Sequence, residues 1–354
     1  MEYIDYNLLD DNENIYPIIE SAFGKDGLGL ILIKNIPDLQ KSRLELLQAI
    51  HSFAGLPEII KQKYIHRESN YSFGWSHGKE FMKQGIADTA KGSYYANPVI
   101  DSFSDNKLSE DYPELYSDNI WPTEELPNFE KAFKSTSSIL ISIGQRISQL
   151  LDSYLYKKTN GKHSLNTFYN LISQSQTYKG RLLHYFPISD KNQLYNNDIS
   201  EPCDNFCGWH VDHGCLTILL SPLFLNIKKE IQVIDDSGLY VRTQTGKNQK
   251  IHIPEDCIVI QLGEMFQYMS GGMLRATPHC VQSTHYPNIS REQFALFMDF
   301  HPNTKLILPE YSLPIQEVLT CKNLPSGVPT LESRINNVVT YSDFVKKTIH
   351  AYYQ

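Results

Sequence analysis

Gly208-Trp209-His210-Val211-Asp212-His213-Gly214-Cys215-Leu216-Thr217-Ile218-Leu219 is the stretch on which the reading of the chain turns. It has the pattern of a β-strand, in which successive side chains project to opposite faces. His210 and Asp212 then share one face and Val211 takes the other. An imidazole beside a carboxylate makes two metal ligands. Far downstream, Leu274-Arg275-Ala276-Thr277-Pro278-His279-Cys280-Val281 reads as a second short strand that carries one more histidine. Two neutral imidazoles and one carboxylate suit a borderline divalent metal, and gathered on one face of an octahedron they leave three positions open.

That donor set is the facial triad of non-haem Fe(II) centres. The tripeptide alone is weak, since a chain with 12 histidines is expected to contain a His-x-Asp about once by chance. The rest of the chain has to decide.

With 354 residues, 41% hydrophobic and 12% aromatic, the chain can fill one large or two ordinary domains. A formal net charge of −8, with Lys and Arg scattered, argues against nucleic acid or an anionic membrane surface as partner. No apolar run approaches the roughly 18 residues of a membrane span, and the acidic start Met1-Glu-Tyr-Ile-Asp-Tyr lacks a secretion pattern. The expectation is a cytoplasmic protein, acting as a monomer. The six cysteines are too irregular for a disulfide framework. Cys203, Cys207 and Cys215 with His213 have none of the paired spacings of a zinc site, so they read as reduced packing thiols.

Residues 1–165 read as a mixed, mostly helical layer. Ile18, Ile19 and Phe23 mark a helix, and Leu28-Gly29-Leu30-Ile31-Leu32-Ile33 a buried strand. Leu44, Leu47, Ile50 and Ala54 mark a second helix ending near Gly55. From Asn70 to Pro98 aromatic residues interleave with glycines, which reads as loops wrapping an interface or lining a pocket. Phe129, Phe133, Leu140, Ile143, Ile147, Leu151 and Tyr154 form one helical stripe, best explained as a face packed on a sheet. Residues 166–305 carry short strands between turns, the pattern of a jelly roll. Residues 306–354 read as loops and a final helix from about Ser342.

In order and spacing these blocks resemble the isopenicillin N synthase-like group of 2-oxoglutarate and Fe(II)-dependent dioxygenases. The resemblance covers nearly the whole chain. Gly74-Trp75-Ser76-His77-Gly78-Lys79-Glu80 and Lys91 to Pro98 look like a subgroup abundant in plants, as do Gly180 to Pro187, Trp209 to Leu216, Gly263 to Val281 and Ser290 to Met298. The resemblance implies a mainly β fold with α, a double-stranded β-helix with an N-terminal helical layer. It places His210, Asp212 and His279 on the iron ligands. Arg291 falls on the arginine that binds the far carboxylate of 2-oxoglutarate, which suits the paired donors of a guanidinium.

Two positions depart from the group. Gln293 stands where a serine often contacts the same carboxylate. The run His184-Tyr185-Phe186-Pro187 puts Phe186 where a tyrosine hydroxyl is common, so His184 or Tyr185 would have to compensate. The implied activity is oxidation of a small organic substrate by dioxygen, with 2-oxoglutarate as cosubstrate. Three alternatives stay open: an oxidase of the isopenicillin N synthase type with Arg291 on a substrate carboxylate, a zinc hydrolase, and a non-catalytic binding protein that keeps the fold. Trp75, His77 and Tyr95 are candidates for the mouth of the barrel.

Overall fold

The computed structural model describes residues 1–10, 12–79, 87–187, 206–284 and 286–353. Its strands are β1 (Tyr3–Asp5), β2 (Leu30–Lys34), β3 (Gly74–His77), β4 (Lys91–Ala96), β5 (Lys179–Tyr185), β6 (Cys207–His210), β7 (Leu216–Leu220), β8 (Leu223–Asn226), β9 (Gly238–Arg242), β10 (Asn248–Ile251), β11 (Ile258–Leu262), β12 (His279–Gln282) and β13 (Ile289–Met298). A nine-stranded sheet runs β1, β2, β11, β7, β13, β5, β4, β3, with β8 also on β13; a four-stranded sheet runs β10, β9, β12, β6. The two face each other as a double-stranded β-helix.

The apolar runs at Leu30–Ile33 and Ile258–Leu262 are continuous because the large sheet is buried on both faces. Ile31, Ile33, Ile218, Ile260, Leu296 and Met298 point to a helical layer that includes Leu39–Ala54 and Phe129–Lys158. Leu30, Leu32 and Val259 point the other way, onto Leu239, Val241 and Ile251 of the small sheet. The stripe foreseen on the long helix is in that core: Phe133, Leu140, Ile143, Ile147 and Leu151 are fully buried, each worth about 1.5–3 kcal/mol.

The structure differs from the sequence reading in three places. Asn70–Pro98 holds two strands, β3 and β4, that extend the large sheet beyond β5. The close approach of Gly92 to Trp75 explains one of its glycines, since a Cβ there would lie 2.1 Å from the indole ring. The helix Glu264–Met269 interrupts the block between Gly263 and Val281. Lastly, Gly208–Leu219 is two strands, because the chain leaves the small sheet after His210 and enters the large one at Leu216.

Candidate metal centre

That crossing builds the site. β6 ends on His210 and β12 begins on His279, and the two residues are direct cross-strand partners. Nδ1 of His210 lies 2.8 Å from the carbonyl of Gly208, and Nδ1 of His279 lies 3.1 Å from that of Thr277. A carbonyl can only accept, so each Nδ1 carries the hydrogen and each Nε2 presents its lone pair. Asp212 Oδ1 lies 3.6 Å from Nε2 of His210 and 3.7 Å from Nε2 of His279. The three ligand atoms converge within 4.8 Å of one another, which fits a single divalent ion with bonds of about 2.1 Å.

Asp212 itself sits in the turn between the sheets, and its backbone is fastened there. Its carbonyl accepts from Glu264 N at 2.8 Å, and Gly214 O accepts from Met265 N at 3.1 Å. Gly214 leaves room for the Asp299 carboxylate: a Cβ would lie 2.0 Å from Asp299 Oδ1, the oxygen that accepts from Cys215 N, and would push it off that bond. The Thr217 hydroxyl donates to Asp212 Oδ2 at 2.7 Å, leaving Oδ1 toward the histidines. Thr217→Val keeps the shape and deletes that bond. Iron affinity is expected to fall about 10–100-fold, as for other outer partners of metal ligands, measured by competition with a chelator.

Two of the three charge states suit the ligand role as they stand. Burial pushes His279 down to about 4, with His210 also opposing its charge, so its imidazole is neutral near pH 7. Burial also works against the Asp212 carboxylate, but His279, His210 and Thr217 outweigh it and hold the group below its usual range. His210 goes the other way: burial opposes its charge, yet Cys207 and Asp212 raise it to about 9. A cation binding there displaces that proton.

The ligands open into a cavity of about 590 Å³, its mouth included, between the two sheets. Along β13 every second residue faces it, namely Arg291, Gln293, Ala295 and Phe297. Arg291 is 3% exposed. Its Nη2 donates to Gln293 Oε1 at 2.6 Å, and its guanidinium lies over the Tyr185 ring at 5.1 Å. Nε and Nη1 have no hydrogen-bond partner among the described residues. A buried charge with two unused donors in a cavity calls for an anion.

The register with β13 decides between the two residues left open on β5. Arg291 pairs with Tyr185 and Glu292 with His184, so Tyr185 shares the cavity face while His184 and Phe186 do not. Phe186 stacks near His77 and His184 instead. Of the two residues left open to compensate for Phe186, Tyr185 is the one on the cavity face. Gln293 Nε2 donates to Leu220 O, and its Oε1 accepts from Arg291.

Behind β13 lies a second cluster of metal-ligand types, His51, His184 and Glu292. Glu292 is fully buried; its Oε1 lies 2.9 Å from His51 Nδ1 and accepts from Ser290 at 2.8 Å, and its Oε2 lies 2.8 Å from His184 Nδ1. Burial opposes the carboxylate charge, but these partners hold it below the usual range. Its oxygens are satisfied by hydrogen bonds on the helix side of the sheet, so it reads as a structural network.

Of the aromatic candidates, only Tyr95 is on the cavity side of its strand. Trp75 packs on Phe53 in the helical core, and His77 pairs across the sheet with Gly92 on that same side. Cys203 lies outside the described residues. Cys207, Cys215, Cys257, Cys280 and Cys321 form no disulfide among the described residues, and Cys215 is in the core. Sequence reading passed over Thr217, Arg181 and Gln261, all of which line the cavity. Strand parity was the available signal: Arg181, Leu183 and Tyr185 alternate on β5.

A model of the 2OG-Fe(II) oxygenase superfamily matches residues 182–299. A probable iron/ascorbate oxidoreductase of Dictyostelium discoideum is 26% identical over 291 residues, 79% of this chain and 74% of that protein. The 2-oxoglutarate-dependent dioxygenase thnC of Trichoderma harzianum is 26% identical over 292 residues, 79% and 77% of the two chains. The 2-oxoglutarate complex of the dioxygenase for auxin oxidation of Arabidopsis thaliana superposes with a TM-score of 0.60 at 13% identity, over 90% of this chain and 99% of that one, a likeness of fold. The chain thus carries a 2OG-Fe(II) oxygenase superfamily domain over residues 182–299, which makes it an oxidoreductase of the class that uses Fe(II) and 2-oxoglutarate.

Proposed function

We propose that His210, Asp212 and His279 hold Fe(II), that Arg291 binds the far carboxylate of 2-oxoglutarate, and that the enzyme hydroxylates or desaturates a small organic substrate. One observation carries the reading: the buried Arg291 guanidinium, with Nε and Nη1 unpartnered among the described residues, shares a cavity with three convergent ligands. When bound, Fe(II) and 2-oxoglutarate supply dioxygen activation coupled to oxidative decarboxylation, with succinate and carbon dioxide as co-products.

The chain's own part is to hold and to exclude. Gly208 O and Thr277 O fix the two imidazoles, and Thr217 fixes the carboxylate. Gln293 holds the guanidinium that anchors the cosubstrate, and Leu183, Leu219 and Phe297 keep the cavity apolar around the reacting centre. Tyr185 stands beside Arg291 as a second contact for the cosubstrate.

The plant-abundant, isopenicillin N synthase-like subgroup remains our assignment from the sequence blocks. We take residues 1–165, 166–305 and 306–354 as supporting layer, catalytic core and tail of one monomeric unit, because β1 and β2 pair into the core sheet. The lack of a disulfide among the described residues and a net charge of −8 support a cytoplasmic protein that does not act on nucleic acid. No helix among the described residues is long and apolar enough to cross a membrane.

The test is an anaerobic titration of the Fe(II)-loaded protein with 2-oxoglutarate, following the weak visible charge-transfer band of a chelated 2-oxoacid. The band is expected at one equivalent. Its absence in iron-loaded protein would instead support the oxidase reading, with Arg291 on a substrate carboxylate.

A further inference from the structure

Arg291 and Gln261 both line the cavity and both carry a buried polar atom that has no hydrogen-bond partner among the described residues. The proposed reaction uses the first. Gln261 lies on β11, directly opposite Thr217 of β7, the residue that holds Asp212. Thr217 pairs in turn with Phe297 of β13. Arg291 precedes Phe297 on β13 by about 20 Å of strand, and β11 lies two strands away from β13, about 10 Å to the side. Gln261 therefore belongs to the metal end of the cavity and Arg291 to the other.

Its surroundings are apolar. Leu219, Leu239 and Ile253 line the cavity with it, and they pack into one buried cluster with Leu30, its partner on β2, and Val259, two residues before it on β11. Gln261 is 3% exposed, and the unpartnered atom is its Oε1. An amide oxygen only accepts, so in such a place it calls for an N–H or O–H. The donors around the ligands are committed: Nδ1–H of His210 and of His279 to the carbonyls of Gly208 and Thr277, and the Thr217 hydroxyl to Asp212. The cosubstrate, a ketone ionised at both carboxylates, offers acceptors alone, and dioxygen has no hydrogen to give. The donor has to arrive with the prime substrate.

We infer that Gln261 is a specificity-determining residue whose Oε1 accepts a hydrogen bond from the prime substrate, so that the substrate class is a small apolar molecule carrying a hydroxyl or N–H donor. The apolar body lies against Leu219, Leu239 and Ile253, and the donor fixes which carbon faces the metal ligands. This rests on the reading that puts iron on His210, Asp212 and His279 and 2-oxoglutarate on Arg291.

The experiment is anaerobic calorimetric titration of the Fe(II) and 2-oxoglutarate complex with 4-ethylphenol, 3-phenylpropanol and 3-ethylindole, each beside its O- or N-methyl derivative. Succinate release in air is followed in parallel. At least one donor-bearing probe is expected to bind ten-fold or more tighter than its methylated partner and to stimulate succinate release, since a site built for a donor rejects the analogue that lacks it. The phenol, alcohol and indole arms tell a hydroxyl from an N–H. Gln261→Met should erase the preference and Gln261→Asn keep part of it, with iron content and 2-oxoglutarate affinity unchanged in both. Gln261→Met removes an unsatisfied acceptor, so its thermal midpoint should stay level or rise. Methylated probes binding as well as their parents, no binding by any donor-bearing probe, or a preference that survives Gln261→Met would overturn the inference. So would loss of 2-oxoglutarate binding in Gln261→Met, which would assign the amide to the cosubstrate. Iron-loaded wild type that fails to bind 2-oxoglutarate before any probe is added would overturn the underlying reading, and this inference with it.

Discussion

Asp212→Ala will purify folded, without bound iron, and will release no succinate from 2-oxoglutarate. The carboxylate is the one anionic ligand between two imidazoles, 3.6 and 3.7 Å from their Nε2 atoms. Without it a cross-strand pair of neutral nitrogens is left, too few to hold Fe(II) against solvent. The loss of affinity should exceed the roughly 10–100-fold expected of an outer partner such as Thr217. Folding is expected to survive because the contacts that place the turn use backbone atoms of this residue. Glu264 N donates to its carbonyl, and Val211 N beside it donates to the Tyr352 hydroxyl at 3.3 Å. Iron content and the thermal midpoint, measured on one preparation, separate the two effects. Glu292→Gln is the counter-variant, since it alters the other histidine and carboxylate cluster and should leave iron content unchanged. Iron retained by Asp212→Ala and lost by Glu292→Gln would move the metal to the far side of β13.

The ligand trio was legible because it depends on residue type and on short spacing. His210 and Asp212 lie on one side as expected, but the cause is a turn between two sheets. The determinants of that turn, the helix Glu264–Met269 and Tyr352 near the end of the chain, are distant in sequence. Arg334 ties the same end of the chain to the site, through Glu264 Oε1 at 2.5 Å and Thr348 Oγ1 at 3.0 Å. Local pattern cannot carry such contacts.

The choice on β5 has a similar origin. The sequence left both His184 and Tyr185 open as compensation for Phe186, and the register with β13 puts Tyr185 on the cavity face. A shift of one residue exchanges the two faces of a strand, and long-range pairing fixes the choice. β3 and β4 escaped notice because both of their faces are covered. Trp75 and Tyr94 pack on the helices while Ser93 and Tyr95 face the cavity side, so hydrophobicity does not alternate.

Arg291→Met should separate ligand binding from stability more sharply than any other substitution. In the folded chain the guanidinium is buried, and burial pulls its pKa below the usual range although Tyr185 and Cys207 oppose the shift. Gln293 satisfies Nη2, while Nε and Nη1 find no partner among the described residues. Such a charge is a cost to the ligand-free protein, and replacing it with an apolar chain of similar length is expected to leave the thermal midpoint unchanged or raise it. The cosubstrate reverses the balance. On the proposed assignment its far carboxylate makes charge-assisted hydrogen bonds to Arg291 worth about 1.5–3 kcal/mol, so Arg291→Met should weaken 2-oxoglutarate by roughly 10–150-fold. Saturating 2-oxoglutarate should therefore raise the midpoint of the iron-loaded wild type, through preferential binding to the folded state, and move that of Arg291→Met far less. A variant destabilised without ligand, yet still protected by 2-oxoglutarate as the wild type is, would show that Arg291 is a structural cation and that another group holds the cosubstrate.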